Sequence, residues 1–226
     1  LIFAGAPDWL SKTATEYLMV TSGFDYWSAT EDDHRQVCPT SGKIKNLYVK
    51  LLWGDPGNDP DAYRFTLRVN GASPANGLVV TIVANDTTGD DTAHEVTVAA
   101  GDVLTLMCEP LESPGSTVWA FMGMTFVADT DGESLILAGT TNDLHNTDTE
   151  YNLLSTFWIS SWQADESLVY QMGQECTLKK LYVLLSAAPG DGKSYTFTLR
   201  KGDGLGDGNL AVTITGAATT TGNDLV

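Results

Sequence analysis

Basic residues are scarce in this chain. Twelve Lys and Arg stand against 29 Asp and Glu, a formal net charge of −17. A surface of that sign repels phosphate backbones and anionic lipid, so nucleic acid and membrane surfaces are disfavoured as partners. No apolar run approaches the ~20 residues of a membrane-spanning helix, so no insertion of that kind is expected. The chain opens at Leu1 rather than Met, and a missing leader therefore says nothing about export. Cysteine is rare: Cys38, Cys108 and Cys176 form no CxxC and no metal spacing. Cys108 lies in an apolar run that suits a buried thiol, while a Cys38–Cys108 disulfide stays open as the other state. His34, His94 and His145 are too scattered for a zinc site. There is no G-x-S-x-G elbow, P-loop or dinucleotide fingerprint. The glycine-rich run 202–208 reads as a plain loop, because no helix follows to hold a phosphate. Carboxylates abound, but nothing selects a pair for glycosidase chemistry. These absences point away from an enzyme.

What is there is a repeat. Leu1-Ile2-Phe3-Ala4-Gly5 returns as Leu135-Ile136-Leu137-Ala138-Gly139, an offset of 134. Thr15-Glu16-Tyr17 returns as Thr149-Glu150-Tyr151, and Leu47-Tyr48-Val49 as Leu181-Tyr182-Val183, at the same offset. After a loss of two residues, Phe65-Thr66-Leu67-Arg68 returns as Phe197-Thr198-Leu199-Arg200, and Val80-Thr81-Ile82 as Val212-Thr213-Ile214. Matches in one order, with gaps at loops, mean duplication of a domain-sized unit.

The apolar period is 2, not 3.6. Leu47, Val49 and Leu51 alternate with polar or amphipathic residues, as do Phe65, Leu67 and Val69, and Leu78, Val80 and Ile82. The second copy keeps this set as Leu181, Val183, Leu185, Phe197, Leu199, Leu210, Val212 and Ile214, while the intervening residues drift. Further strands are expected over His94–Val98, Val103–Cys108 and Val118–Val127. Turn signals separate the runs, among them Asp55-Pro56-Gly57, Thr88-Gly89-Asp90 and Pro189-Gly190-Asp191-Gly192. One turn of helix is conceivable at Pro7-Asp8-Trp9-Leu10. The expectation is an all-β chain of two tandem jelly-roll-like β-sandwich domains, residues 1–130 and 135–226. The second is incomplete at its C-terminus: it is either truncated or completed by strands from another chain.

The segments Gly42–Val49, Tyr63–Gly71, Val80-Thr81-Ile82 and Val96–Asp102 carry a family likeness. The second copy repeats part of it in Leu178–Val183 and Tyr195–Arg200, without the Ala-Ala-Gly-Asp segment. Together they resemble the jelly-roll modules of phage and environmental-virus structural proteins and of some secreted bacterial proteins. The resemblance implies a virion decoration, fibre or surface component and supplies no catalytic motif.

Several candidate sites follow. Asp129, Asp131 and Glu133 alternate across the junction between copies, and Asp129-x-Asp131-Gly132 has the start of a calcium loop. Calcium there would stiffen the junction; the other reading is a solvated turn. Asp55, Asn58, Asp59, Asp61 and Asp86, Asp90, Asp91 make two further acidic loops. Asn85-Asp86-Thr87 is a glycosylation sequon, making Asn85 a candidate glycan acceptor. Glu16 and Glu150, the carboxylates repeated within a matched triplet, are expected to tie a loop by hydrogen bonds. Trp9, Phe24, Tyr26, Trp27 and Phe157, Trp158, Trp162 form either a sugar-stacking platform or core packing. Trp27 and Trp162 fall one residue out of the 134 offset, which argues against a repeated ligand site. The expected role is a non-enzymatic assembly subunit of a virion or extracellular filament, at the virion surface or outside the cell. Its partners would be copies of itself or other surface proteins. The alternative is a carbohydrate-binding or adhesin module, with glycans as partners.

Overall fold

The computed structural model describes residues 1–22, 26–155, 161–169, 175–202 and 207–225. The chain is all-β, and no α-helix occurs among the described residues. Two compact units are present, one built on Leu1–Thr141 and one on Asn142–Leu154 with the described residues from 161 onward. The repeat boundary expected at 130–135 falls inside the first unit. Leu137, the second copy's counterpart of Phe3, is buried in the first unit's core, and its carbonyl accepts a 3.1 Å hydrogen bond from Thr21 Oγ1.

Among the described residues the first unit has nine strands: β1 (Ile2–Gly5), β2 (Glu16–Leu18), β3 (Gln36–Val37), β4 (Gly42–Leu52), β5 (Ala62–Val69), β6 (Val79–Val83), β7 (Thr88–Val98), β8 (Val103–Leu111) and β9 (Trp119–Ala128). They form two antiparallel sheets, ordered β1-β9-β4-β7 and β2-β8-β5-β6, with β3 paired to β8 beyond the end of β2. The chain crosses from one sheet to the other at β1–β2, β3–β4, β4–β5, β6–β7, β7–β8 and β8–β9.

The alternating residues fill the space between the sheets. Leu47, Val49, Leu51, Phe65, Leu67, Leu78, Val80 and Ile82 are all buried, together with Met122 and Met124 of β9. At roughly 25 cal/mol per Å² of apolar surface, each such side chain contributes on the order of 2 kcal/mol. Ile44 is also buried, although it lies three residues before Leu47. A bulge between Lys45 and Leu47, with Asn46 at φ 57°, resets the alternation. Lys180 repeats that left-handed conformation at φ 60°.

Two sequence-level turns prove to be strand. Thr88-Gly89-Asp90 opens β7, where Gly89 faces β6. A Cβ there would lie 2.7 Å from Val80 Cγ1. Glycine is present at that position for close packing, not for chain reversal. Gly190-Asp191-Gly192 likewise opens a strand and precedes an irregularity in its pairing. Pro7–Leu10 makes no helical turn; the Leu10 amide donates to Val118 O at 2.9 Å.

The second unit holds β10 (Leu181–Leu184), β11 (Gly190–Arg200), β12 (Asp207–Gly216) and β13 (Thr221–Asp224). It repeats the first unit's registers pair by pair. Leu181↔Asp224 matches Leu47↔Asp91, and Phe197↔Val212 matches Phe65↔Val80. The Ala211 amide donates to Asp224 Oδ2 at 2.9 Å, as the Val79 amide does to Asp91 Oδ2 at 3.1 Å. Among the described residues no strand stands in the second unit where β8 and β9 stand in the first. Leu181, Val183, Phe197 and Leu199 are accordingly half-buried, whereas Leu210, Val212 and Ile214 are buried.

Candidate functional site

The outer face of the β1-β9-β4-β7 sheet carries the most unusual surface of the first unit. Strand pairing sets its rows. Phe3, Gly123, Tyr48 and Asp90 lie across the sheet in one row. Gly5, Phe121, Lys50 and Thr88 form the next. Leu52 and Trp119 form a third at the sheet's end. Period-2 alternation turns all of these away from the core. Phe3 is 64% exposed and Tyr48 54%, with Phe121, Leu52 and Val127 also exposed.

Gly5 lets the Phe121 ring lie against the sheet. The Phe121 ring occupies the space a Gly5 side chain would need, and a Cβ on Gly123 would touch Phe3 at 3.7 Å. Each phenyl ring of the β1–β9 pair thus covers a glycine on the opposite strand. Between Phe3, Tyr48 and Phe121 lies a shallow depression of about 490 Å³, edged by Lys50 and Asp90. Lys50 Nζ donates to Thr87 Oγ1 at 2.7 Å.

At the end of this face three indoles meet. Trp119 packs against Trp9 with ring centroids 5.6 Å apart and planes at 59°, and against Trp53 at 6.1 Å and 81°. Trp53 is 74% exposed and Trp9 49%. Trp53 also sits at φ 69°, a left-handed conformation that costs a bulky residue on the order of 1 kcal/mol. The Trp9 amide is fixed by Asp8 Oδ1 at 2.8 Å.

The residues singled out from sequence are placed as follows. Asp129 and Asp131 are exposed, and Glu133 turns back to accept a hydrogen bond from Thr40 Oγ1. The three do not converge, and among the described residues no group of three or more His, Cys, Asp or Glu could hold a metal ion. The same holds for the two acidic loops; Asp55 instead accepts from the Gly57 amide at 3.0 Å, and Asp91 from Val79. Asn85 is exposed in the β6–β7 turn. Glu16 and Glu150 do equivalent work: each accepts a backbone N–H five residues upstream, from Ser11 at 2.7 Å and His145 at 2.8 Å. Burial, aided by Asp8, raises the Glu16 pKa against the Ser11 hydrogen bond. Cys38 and Cys108 are buried free thiols, so the disulfide does not form. Burial pushes the Cys108 thiol well above its usual range.

The aromatic clusters divide. Trp27 packs on Phe65 at 6.3 Å and 58°, and Trp162 on Phe197 at 6.3 Å and 55°. The Tyr17↔Ser28 and Tyr151↔Gln163 bridges show that the offset has grown to 135 here. The two indoles are therefore equivalent after all, as core packing and not as ligand sites. Phe24, Phe157 and Trp158 lie outside the described residues, as does most of the run 202–208. Sequence reasoning missed Phe3, Tyr48, Phe121, Trp53 and Trp119 as a surface set. The available signal was apolar residues at outward positions of otherwise alternating strands.

No protein-family model matches the chain, and no curated protein is similar to it. No helix among the described residues is long and apolar enough to cross a membrane.

Proposed function

We propose that this protein is a non-enzymatic assembly subunit made of tandem jelly-roll modules, of the kind that builds a virion surface or an extracellular filament. It works by contact between copies through the outer face of the β1-β9-β4-β7 sheet. The single observation that carries this reading is the exposed, flat aromatic surface of Phe3, Tyr48 and Phe121. Contiguous apolar surface of this kind marks interaction sites on folded proteins. The two crossing antiparallel sheets agree with a jelly roll in their strand order. The resemblance of the strand motifs to viral and secreted structural modules points the same way.

Sedimentation velocity over a concentration series, with electron microscopy of the concentrated sample, tests the reading. The wild-type chain is expected to form oligomers or regular arrays. The triple variant Phe3→Ser/Tyr48→Ser/Phe121→Ser should stay monomeric with an unchanged circular dichroism spectrum. A wild-type chain that remains monomeric at millimolar concentration would sink the proposal.

A further inference from the structure

We infer that the Trp9–Trp53–Trp119 corner is a binding site for a neutral saccharide, a function separate from assembly through the phenyl and tyrosyl face. Three observations carry it.

The first is that the repeat does not keep two of these indoles, Trp9 and Trp53. The second copy keeps their neighbours Leu10 and Leu51, both buried in the first unit, as Leu144 and Leu185. It places Asp143 at the position of Trp9, and Ser186-Ala187-Ala188 follow Leu185 where Leu52-Trp53-Gly54 follow Leu51. None of these second-copy residues adopts the left-handed conformation of Trp53. The first unit therefore carries a strained backbone and two largely exposed indoles that its sister does without.

The second is the arrangement of the rings. Trp119 meets the Trp9 ring at a tilt, 5.6 Å and 59°, and the Trp53 ring edge-on, 6.1 Å and 81°. Each of these two pairs is in direct contact, so neither sandwiches a quaternary ammonium group. Trp9 and Trp53 both remain exposed, which leaves apolar ring surface open to a ligand. The C–H face of a pyranose ring suits such a surface.

The third is the chemistry at the rim. Asp8 precedes Trp9, Asp55 lies two residues beyond Trp53, and the exposed Gly115 carbonyl lies on the loop just before β9, bonded by Lys12 Nζ at 3.2 Å. Carboxylates and carbonyls accept hydrogen bonds from sugar hydroxyls. With a net charge of −17 they also repel anionic glycans, which selects a neutral one.

Tryptophan fluorescence titration and isothermal calorimetry of the intact chain test this, with hexamers of β-1,4-glucose, β-1,4-N-acetylglucosamine and α-1,6-mannose as probes. Alginate hexamer and tetramethylammonium serve as anionic and cationic controls. At least one neutral hexamer should bind and shift the emission, and neither control should. Trp53→Gly and Trp53→Ala should each weaken that binding at least tenfold. Trp53→Gly should melt no lower than wild type, because glycine accepts the left-handed backbone; this separates lost binding from lost folding. Phe121→Ser, which weakens assembly under the reading above, should bind the sugar as wild type does. The inference is overturned if no neutral hexamer binds at 10 mM. It is equally overturned if Trp53→Gly binds like wild type, if either control binds as well as the sugars, or if the Trp53 variants change sedimentation and leave binding intact.

Discussion

Arg68 and Glu31 show how a single pair serves both copies. Arg68 holds both carboxylate oxygens of Glu31, at 2.8 and 3.0 Å, and lies 5.7 Å over the Tyr17 ring. Arg200 holds Glu166 in the same bidentate manner, at 3.0 and 3.1 Å. The arginines belong to the matched motif Phe-Thr-Leu-Arg and were visible in the sequence. Their partners were not, because each glutamate sits in a short 3-10 turn that apolar periodicity does not mark. Burial alone would raise the Glu31 pKa, but the hydrogen bonds from Arg68 and Thr105 outweigh it and hold it below 4.5. A carboxylate with a depressed folded pKa adds stability above its unfolded pKa and loses it as pH falls through the folded value. Glu31→Gln should therefore cost about 2 kcal/mol at pH 7. Urea titrations at pH 7, 4.5 and 3 should show the gap to wild type closing as pH falls below about 4.5. A gap that stays constant down to pH 3 would show that the charge of Glu31 contributes nothing.

At the scale of elements, strand identity was legible because burial on one face enforces a period of 2. Strand limits were less legible where a glycine meant packing and not reversal. Gly89 and Gly222 make the point twice. An added Cβ would lie 2.7 Å from Val80 at the first and 2.6 Å from Val212 at the second. Gly89→Ala should destabilise the chain by about 1–3 kcal/mol through overpacking. Gly123→Ala places its methyl on the outer face at ordinary contact distance from Phe3, so it should fall within about 0.5 kcal/mol of wild type. Chemical denaturation of the two variants side by side checks both values. The strand edges give a further expectation. β4 and β5 each pair on both sides, whereas β10 and β11 each have one partner among the described residues. Hydrogen exchange should accordingly be faster for the Val183 and Phe197 amides than for Val49 and Phe65. Equal protection of the two sets would contradict this.

For the whole molecule, duplication and sandwich architecture could be read directly, whereas the aromatic face could not. Phe3, Tyr48 and Phe121 are far apart in sequence, and only the pairing of β1, β9 and β4 brings them into adjacent rows. The junction carboxylates show the same limit of sequence reading: their spacing does not say which way each turns, and Glu133 accepts a hydrogen bond from Thr40 while Asp129 and Asp131 are exposed. Charge and face together fix how assembly should respond to salt. Copies carrying −17 repel each other, and the proposed contact surface is mainly apolar. Raising sodium chloride from 20 to 500 mM should therefore strengthen self-association by screening. Weakening with salt in the same sedimentation experiment would point to ion pairs in place of the aromatic face.

The matched seats of Trp27 on Phe65 and Trp162 on Phe197 also make each unit its own optical gauge. Trp27→Phe and Trp162→Phe each silence one of these indoles. The difference spectrum of each variant against wild type then follows the opening of one unit by itself.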